Sequence, residues 1–172
     1  MKLYIDFDGI IIDTWPSVLK EYYKKYSNCE VEEYKLRELF KDLNWDLILN
    51  NSRINYTNIK VLKKFNNYEI AILTKINSLS EGKAKEKFLK NMNIDIKLKT
   101  VDIDEKKSEI VDAVGNILID DDIKNLIEWK EKGGCAILYS KNKDGKDSDG
   151  IINKEFPIIY ELEYEYIIEL LT

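Results

Sequence analysis

The sequence predicts an α/β fold in which a parallel sheet of about five strands is flanked by helices. Three observations support this prediction. Short apolar runs, which suit strands buried on both faces, alternate along the chain with segments of helical periodicity. Such alternation is typical of βαβ units and therefore of a parallel sheet. The long stretch 15–66 interrupts it with helical patterns alone, which predicts a small helical insertion after the first strand.

The predicted strands are short and mostly apolar. They cover residues 2–7, 68–73 (YEIAIL), 96–101 (IKLKTV), 117–119 (ILI) and 135–139 (CAILY). The run 96–101 alternates apolar residues with lysines, which is typical of a strand at the edge of a sheet. The first strand is apolar on both of its faces, so we expect it to be covered on both sides.

Helices are predicted between these strands. They cover residues 79–92, 105–114, 122–132 and a closing segment from about 160, and within the insertion residues 16–26, 30–42 and 55–65. Four of them have an expected inward face. These faces carry Ala84, Phe88, Leu89 and Met92 in helix 79–92; Ile110, Val111 and Val114 in helix 105–114; Ile123, Leu126, Ile127 and Trp129 in helix 122–132; and Tyr160, Ile167, Leu170 and Leu171 in the closing helix. The sequence thus divides into a core of residues 1–14 and 67–172 and an insertion of residues 15–66.

Length and composition set limits on the class of protein. A chain of 172 residues suits one domain with a modest insertion, and 44% hydrophobic with 34% charged residues indicates a globular protein. The net charge of −5 without a basic patch argues against a nucleic acid polymer as partner, although a single nucleotide remains compatible. No apolar run has the length of a membrane span, and no signal peptide is recognisable, so we expect a cytoplasmic protein without a membrane partner.

The absence of histidine excludes several kinds of catalysis. Ser-His-Asp triads, Cys-His dyads and histidine-ligated zinc are all impossible in this chain. Its two cysteines, Cys29 and Cys135, lie far apart, form no zinc or disulfide pattern, and are interpreted as ordinary thiols. Any catalysis must therefore use carboxylates, lysines, hydroxyls or a hard metal ion.

Four groups of polar residues follow predicted strands or begin predicted helices. They are Asp6 with Asp8, Thr74, Lys107, and the run Asp120-Asp121-Asp122. Each has an ordinary explanation by itself, as a turn, a helix cap, a solvated lysine or a helix N-terminus. However, the carboxyl ends of parallel strands meet at one edge of a sheet, where ligands of open α/β sheets bind. We therefore expect all four groups to converge in one crevice.

The order of these groups resembles the haloacid dehalogenase superfamily of phosphohydrolases. The resemblance rests on DFDGI, ILT, KSEI and ILIDDD in that order and covers most of the chain, although Ile10 stands where the family usually has Thr or Val. It implies a Rossmann-like core, with the helical insertion as a small cap. Response-regulator receivers also combine acids, Thr and Lys, but their phosphorylated Asp lies on a middle strand, so the order argues against them.

The resemblance also implies a role for each polar residue. Asp6 would be the nucleophile that forms an aspartyl-phosphate, and Asp8 the general acid and base. Thr74 and Lys107 would bind the phosphoryl oxygens. Mg²⁺ would lie between Asp6, the backbone carbonyl of Asp8 and Asp120, with Asp121 as the alternative ligand. Because the dehalogenases of this family lack a carboxylate at the position of Asp8, the sequence favours a phosphatase.

The substrate prediction depends on the cap and on the fourth motif. Trp15, Phe40, Trp45, Arg53 and Tyr56 are the expected substrate contacts, with Trp45 as the base-stacking residue; alternatively, most of the aromatic ones form the core of the cap. The segment ILIDDDIKNLIEWKEKGG is similar to the deoxyribonucleotidase and cytosolic 5′-nucleotidase C-type branch, which favours mononucleotides, deoxypyrimidine ones first. The alternatives are a sugar phosphate or other small ester, and a catalytically silent binding or regulatory domain.

Overall fold

The computed structural model describes residues 1–27, 30–65 and 69–172. Its elements in chain order are β1 (Leu3–Ile5), β2 (Ile12–Asp13), α1 (Trp15–Tyr26), α2 (Glu33–Asp42), α3 (Trp45–Asn50), β3 (Arg53–Ile54), α4 (Tyr56–Leu62), β4 (Ile70–Ile76), α5 (Leu79–Asn91), β5 (Lys97–Asp102), α6 (Lys107–Ile110), β6 (Ile117–Asp120), α7 (Ile123–Glu131), β7 (Cys135–Tyr139), β8 (Ile158–Ile159) and α8 (Tyr164–Leu171).

The main sheet contains six parallel strands in the order β5–β4–β1–β6–β7–β8. The predicted α/β fold with a parallel sheet is confirmed, and the two-residue strand β8 adds one strand to the expected number. Strand β5 lies at an edge, as its lysines indicate. Strand β1 lies near the middle, with Ile5 opposite Ile72 of β4 and Ile119 of β6. Its central position places the residues that follow it among the ends of neighbouring strands.

Strand β1 is covered on both faces. Leu3 and Ile5 point into one hydrophobic cluster, which includes Phe88 of α5, and Tyr4 points into a second cluster on the other face. In that second cluster the ring of Tyr4 meets Trp129 of α7 edge to face, with 5.4 Å between the ring centroids. The alternation of side chains along a strand thus explains why an almost wholly apolar run is needed here.

In its described residues the insertion is mainly helical but contains one short strand. Strand β3 pairs antiparallel with β2, with Ile12 opposite Ile54, so the prediction of helices alone is wrong at these two residues. The pairing joins the residues just before the insertion to residues inside it. The hydrophobic cluster of β1 continues into the insertion, where it includes Trp45 and Ile48 of α3. Since one cluster runs through both parts, the division into core and cap stays a prediction.

Helix α6 is much shorter than the predicted helix 105–114. The backbone becomes extended at Val111, the Asp112 carboxylate accepts the N–H of Val114, and Gly115 has a positive φ of 66°. This local turn competes with the helix and ends it after Ile110. Val111 is buried, whereas Ile110 and Val114 are exposed, so the expected common apolar face does not form.

Two further apolar residues lie outside their predicted positions. Ile127 of α7 is 40% exposed, although Leu126 and Trp129 of the same helix are fully buried. The buried stripe is thus narrower than the sequence suggests. Tyr160 precedes α8 and is exposed, so it is not part of the helical face that buries Ile167.

No helix in the described ranges has both the length and the apolar character needed to cross a membrane. Cys135 is a free, exposed thiol, in agreement with its interpretation as an ordinary cysteine. Cys29 and the first residue of the predicted strand 68–73 lie outside the described residues. The interpretation of Cys29 therefore stays a prediction.

Neighbouring positions of α7 provide a test of this packing. Leu126→Ala should lower the free energy of unfolding by about 2–5 kcal/mol, because it removes a fully buried side chain and leaves a cavity. Ile127→Ala should lower it by less than about 1 kcal/mol, because the side chain is largely exposed. Urea denaturation of both variants measures the difference. Equal losses would contradict the narrow buried stripe.

Candidate active site

Lys107 brings together two acids from neighbouring strands. Asp6 directly follows β1, and its N–H donates to the carbonyl of Ile119, so it continues the ladder beyond the strand. Asp120 is the last residue of β6, and Lys107 begins α6. The Lys107 Nζ donates to Asp6 Oδ1 at 2.7 Å and to Asp120 Oδ2 at 2.6 Å. All three side chains are buried, so the predicted convergence of these groups is observed.

Asp121 completes an acidic cluster at this edge. Carboxylate oxygens of Asp6, Asp120 and Asp121 lie within 4.8 Å of one another. The Asp121 carboxylate occupies the space beside Gly9, where a Cβ would lie 1.8 Å from Asp121 Oδ2. Gly9 also has a positive φ of 73°, so both the backbone and the close approach require glycine.

The two adjacent acids differ in their hydrogen bonds. Asp120 Oδ2 accepts from Lys107 and from Asn125 Nδ2 at 3.1 Å, and its Oδ1 accepts the backbone N–H of Asp122 at 3.0 Å. The carboxylate of Asp121 accepts no hydrogen bond from the residues that the structure describes. Asp120 is therefore held by the protein, whereas Asp121 has oxygens available to a ligand.

The cluster has more negative charge than Lys107 balances. Burial raises the pKa of Asp6 to about 7; Lys107 opposes this shift, while the charges of Asp120 and Asp8 add to it. Burial, followed by the charges of Asp6 and Asp120, raises the pKa of Asp121 well above its usual value. For Lys107, burial alone would lower the pKa, but its two carboxylate partners raise it overall. A buried, all-oxygen donor set of this kind fits a hard divalent cation such as Mg²⁺.

A second buried lysine holds Asp8. Asp8 Oδ2 accepts from Lys85 Nζ at 2.6 Å, and its Oδ1 accepts from the hydroxyl of Thr14 at 2.8 Å. Lys85 also donates to Thr74 Oγ1 at 3.0 Å and forms an ion pair with Glu81 Oε1 at 2.8 Å. The side chain of Lys85 is fully buried, whereas that of Asp8 is 35% exposed and faces the crevice.

Sequence reasoning missed Lys85 and Asn125. A signal for Lys85 was present, because Glu81 and Lys85 stand four residues apart on the same stripe of α5 as Phe88 and Leu89. An oppositely charged pair on an otherwise apolar stripe indicates a buried ion pair. For Asn125 the sequence carried no comparable signal.

The acids open into a cavity of about 320 Å³ that the insertion partly covers. Trp15, Phe40 and Trp45 line it together with Asp6 and Asp8. Trp45 is only 4% exposed and stacks on Phe40, with ring centroids 5.9 Å apart. Trp15 is 45% exposed and thus offers more free ring surface. The prediction that these aromatic residues contact substrate stays a prediction.

Arg53 and Tyr56 line a neighbouring cavity of about 390 Å³ and not the one that contains Asp6. The two cavities share Gly9, Asp13 and Lys141. Asp13 and Lys141 form an ion pair at 3.1 Å at this boundary. The structure therefore separates these two predicted substrate contacts from the acidic cluster.

The fold is that of the haloacid dehalogenase-type hydrolases, since solved structures of this class match almost the whole chain. A HAD phosphatase from Thermococcus onnurineus has a TM-score of 0.61 at 16% identity, covering 99% of this chain and 98% of its own. The D,D-heptose 1,7-bisphosphate phosphatase from Burkholderia thailandensis has a TM-score of 0.58 at 12% identity, covering 100% of both chains.

A magnesium-bound HAD hydrolase from Bacillus subtilis has a TM-score of 0.55 at 12% identity and covers 97% of both chains. No protein-family model matches the sequence, and no curated protein matches it either. The similarity to solved structures confirms the predicted fold. At such low identities it shows the fold alone.

The raised pKa of Asp6 predicts how pH affects the metal-free protein. The folded-state pKa of about 7 lies above the unfolded value of about 4. The contribution of Asp6 to stability is therefore present below about pH 4 and is lost as the pH rises through about 7. Relative to wild type, Asp6→Asn should become more stable by a few kcal/mol between pH 4 and pH 8 in EDTA.

Urea denaturation at both pH values measures this difference, and comparison with the variant cancels the titration of the groups that do not interact with Asp6. Mg²⁺ should reverse the order at pH 8, because the ion needs the ionised Asp6. A difference between the two proteins that does not vary with pH would contradict the raised pKa.

Proposed function

We propose that the protein is a Mg²⁺-dependent phosphomonoester hydrolase that forms an aspartyl-phosphate on Asp6. One observation carries this proposal: Asp6 and Asp8 face the same cavity, and each is held by its own buried lysine. Two carboxylates in different environments suit different tasks, one as nucleophile and the other as acid and base. The fold shared with HAD phosphatases supports this assignment.

In the first step Asp6 attacks phosphorus. The bond from phosphorus to the ester oxygen breaks, and Asp8 gives a proton to the leaving oxygen. In the second step water attacks phosphorus, Asp8 takes a proton from it, and the bond from phosphorus to Asp6 breaks. Lys107 and Thr74 donate hydrogen bonds to the phosphoryl oxygens, so their charge and dipoles stabilise the transferred group.

Mg²⁺ would be held by carboxylates of the acidic cluster and by the backbone carbonyl of Asp8. When bound, it supplies charge neutralisation for the transferred phosphoryl group. The magnesium bound to the Bacillus subtilis protein supports this choice of ion. Of the two adjacent acids we propose Asp121 as the metal ligand, because Asp120 already accepts hydrogen bonds from Lys107 and Asn125. From the sequence alone, Asp120 was the first choice and Asp121 the alternative.

Substitution of the two catalytic acids tests the mechanism. Asp6→Asn should abolish turnover with the fold intact, because an amide matches the carboxylate in shape but cannot act as nucleophile. Asp8→Asn should lower the rate on an alkyl phosphate by about 10²–10⁴-fold, the usual contribution of a general acid. Steady-state phosphatase assays beside thermal melts measure both effects. Wild-type turnover in folded Asp6→Asn would overturn the aspartyl-phosphate mechanism.

A second test separates Asp120 from Asp121 as the metal ligand. Chelation should abolish activity, Mg²⁺ should restore it, and Ca²⁺ should restore it poorly because its coordination is looser. Asp120→Asn should raise the Mg²⁺ concentration for half-maximal activity by about 10–100-fold, the usual effect of losing a residue that supports the metal ligands without binding the metal. Asp121→Asn should raise it more. The reverse order would identify Asp120 as the ligand, and activity in excess chelator would exclude the metal.

The proposed substrate is a nucleoside monophosphate, with deoxypyrimidine nucleotides first. The aromatic residues that line the cavity, Trp15, Phe40 and Trp45, support this choice, because a base can stack on a Trp face with a gain of about 1–3 kcal/mol. A sugar phosphate remains the second candidate, and it is favoured by the fold shared with the heptose bisphosphate phosphatase. The cytoplasmic location and the absence of a polymeric partner stay predictions.

Two tryptophan variants test the substrate class. Trp15→Ala should reduce kcat/KM for a nucleotide by about tenfold, since 1.4 kcal/mol of lost stacking is one factor of ten. It should barely change the value for a small aryl phosphate. Trp45→Ala serves as the comparison. If Trp45 stacks on the base, as the sequence predicts, this variant should lose kcat/KM for the nucleotide only. If Trp45 belongs to the core of the cap, the variant should lose kcat/KM for the nucleotide and for the aryl phosphate.

The control is a panel of nucleotides and sugar phosphates with wild-type protein. Sugar phosphates that outpace every nucleotide would reject the nucleotidase proposal and leave the phosphatase proposal in place. If the folded, Mg²⁺-supplied protein hydrolyses no ester, the silent binding domain becomes the better explanation.

A further inference from the structure

Lys85 is the most deeply buried ion in the site that the proposed mechanism does not use. Its side chain is fully inaccessible to solvent and lies on the inward face of α5. Four oxygen atoms surround its Nζ: Asp8 Oδ2 at 2.6 Å, Glu81 Oε1 at 2.8 Å, Thr74 Oγ1 at 3.0 Å and the carbonyl of Lys75 at 3.0 Å. A buried ammonium needs such partners, because an unpaired buried charge is costly.

We propose that Lys85 is a positioning residue that holds Asp8 beside Thr74 for the acid–base steps of the reaction. This inference rests on the proposed function, in which Asp8 transfers the proton. Lys85 itself touches neither the substrate nor the reacting atoms. It binds one oxygen of the Asp8 carboxylate, which leaves the other oxygen, now paired with Thr14, to exchange the proton.

The partners on the far side of Lys85 keep it in place. Glu81 is 3% exposed and forms the second ion pair, and its other oxygen accepts from the backbone N–H of Asn77 at 2.7 Å. Glu81 is therefore fixed by the turn before α5. The chain of contacts leads from this turn through Lys85 to Asp8, whose side chain has no other cationic partner among the described residues.

Removal of Lys85 alone would leave two carboxylates facing each other. Asp8 would turn away from Glu81 and towards solvent, which its partial exposure permits. Lys85→Met also leaves Glu81 buried without a counterion, so this single variant is at risk of unfolding. The double variant Lys85→Met with Glu81→Gln removes that orphaned charge and still lacks the contact to Asp8.

The decisive measurement compares two esters that differ in their need for a proton. An alkyl phosphate such as n-butyl phosphate needs protonation of its leaving oxygen, whereas 4-nitrophenyl phosphate releases a weakly basic anion that does not. We expect the double variant to lower the ratio of kcat/KM for the alkyl ester to that for the aryl ester by about a hundredfold, the size of effect that misplacement of a catalytic group produces. The value of kcat/KM covers only steps up to release of the leaving group.

A transient measurement adds an independent readout. Water attack on the aspartyl-phosphate also needs Asp8, whereas its formation from the aryl ester does not. The double variant should therefore show a burst of nitrophenolate that approaches one equivalent per protein before a slow steady state. A role of Lys85 in folding alone would lower the amplitude and rate for both esters without changing their ratio.

Matched controls share the same helix. Lys83→Met makes the same chemical change at an exposed position of α5 and should keep the wild-type ratio. Glu81→Gln alone retains Lys85 and should change the ratio less than the double variant. An unchanged ratio in the folded double variant overturns the role of Lys85 only. Turnover that survives in Asp6→Asn overturns the proposed mechanism and this inference together.

Discussion

The burial of several carboxylates at one edge of a covered sheet is the constraint on which the site depends. Asp6, Asp120 and Glu81 are all nearly inaccessible to solvent, and each of them contacts a lysine that is buried as well. A buried ion without a partner costs several kcal/mol, so these acids need the lysines to be buried in their ionised form. Lys107 binds Asp6, which follows β1, and Asp120 at the end of β6. Lys85 of α5 binds Asp8, which lies three residues beyond β1.

The two lysines do not balance the negative charge of the carboxylates at this edge of the sheet. Five carboxylates (Asp6, Asp8, Glu81, Asp120 and Asp121) and two ammonium groups leave three negative charges when all are ionised. Burial, together with this excess of negative charge, raises the pKa values of Asp6 and Asp121 in the metal-free protein. A divalent cation would relieve this excess and would make the edge able to accept a phosphoryl group, so the same charge imbalance supports both the proposed metal site and the proposed phosphate chemistry.

Apolar contacts connect the insertion to the helix next to this edge. Trp45 and Ile48 of α3 belong to the same hydrophobic cluster as Phe88 of α5. The ion pairs between the two parts, Arg37 with Asp104 and Lys87 with Asp46, are solvent-exposed and contribute little to stability. The position of Trp45, on which Phe40 stacks, therefore follows from the packing of α3 on α5.

The sequence by itself determined which polar residues lie near the ends of the strands and in what order they follow along the chain. Asp6, Thr74, Lys107 and Asp120 could be identified because each stands near the carboxyl end of a strand or at the start of a helix, and parallel strands end at one edge. The periodicity of α5 and α7 likewise predicted their buried apolar side chains. These signals are local, so they can be recognised along the chain without knowledge of what packs against it.

Only the tertiary structure decided which of these side chains meet and how. Lys85 and Asp8 are 77 residues apart, and only the packing of α5 against the sheet brings them into contact. The same holds for the different surroundings of Asp120 and Asp121, which are adjacent in sequence but point to different partners. It also holds for Arg53, which lines the neighbouring cavity. Direction and contact depend on distant residues, and therefore no local pattern can specify them.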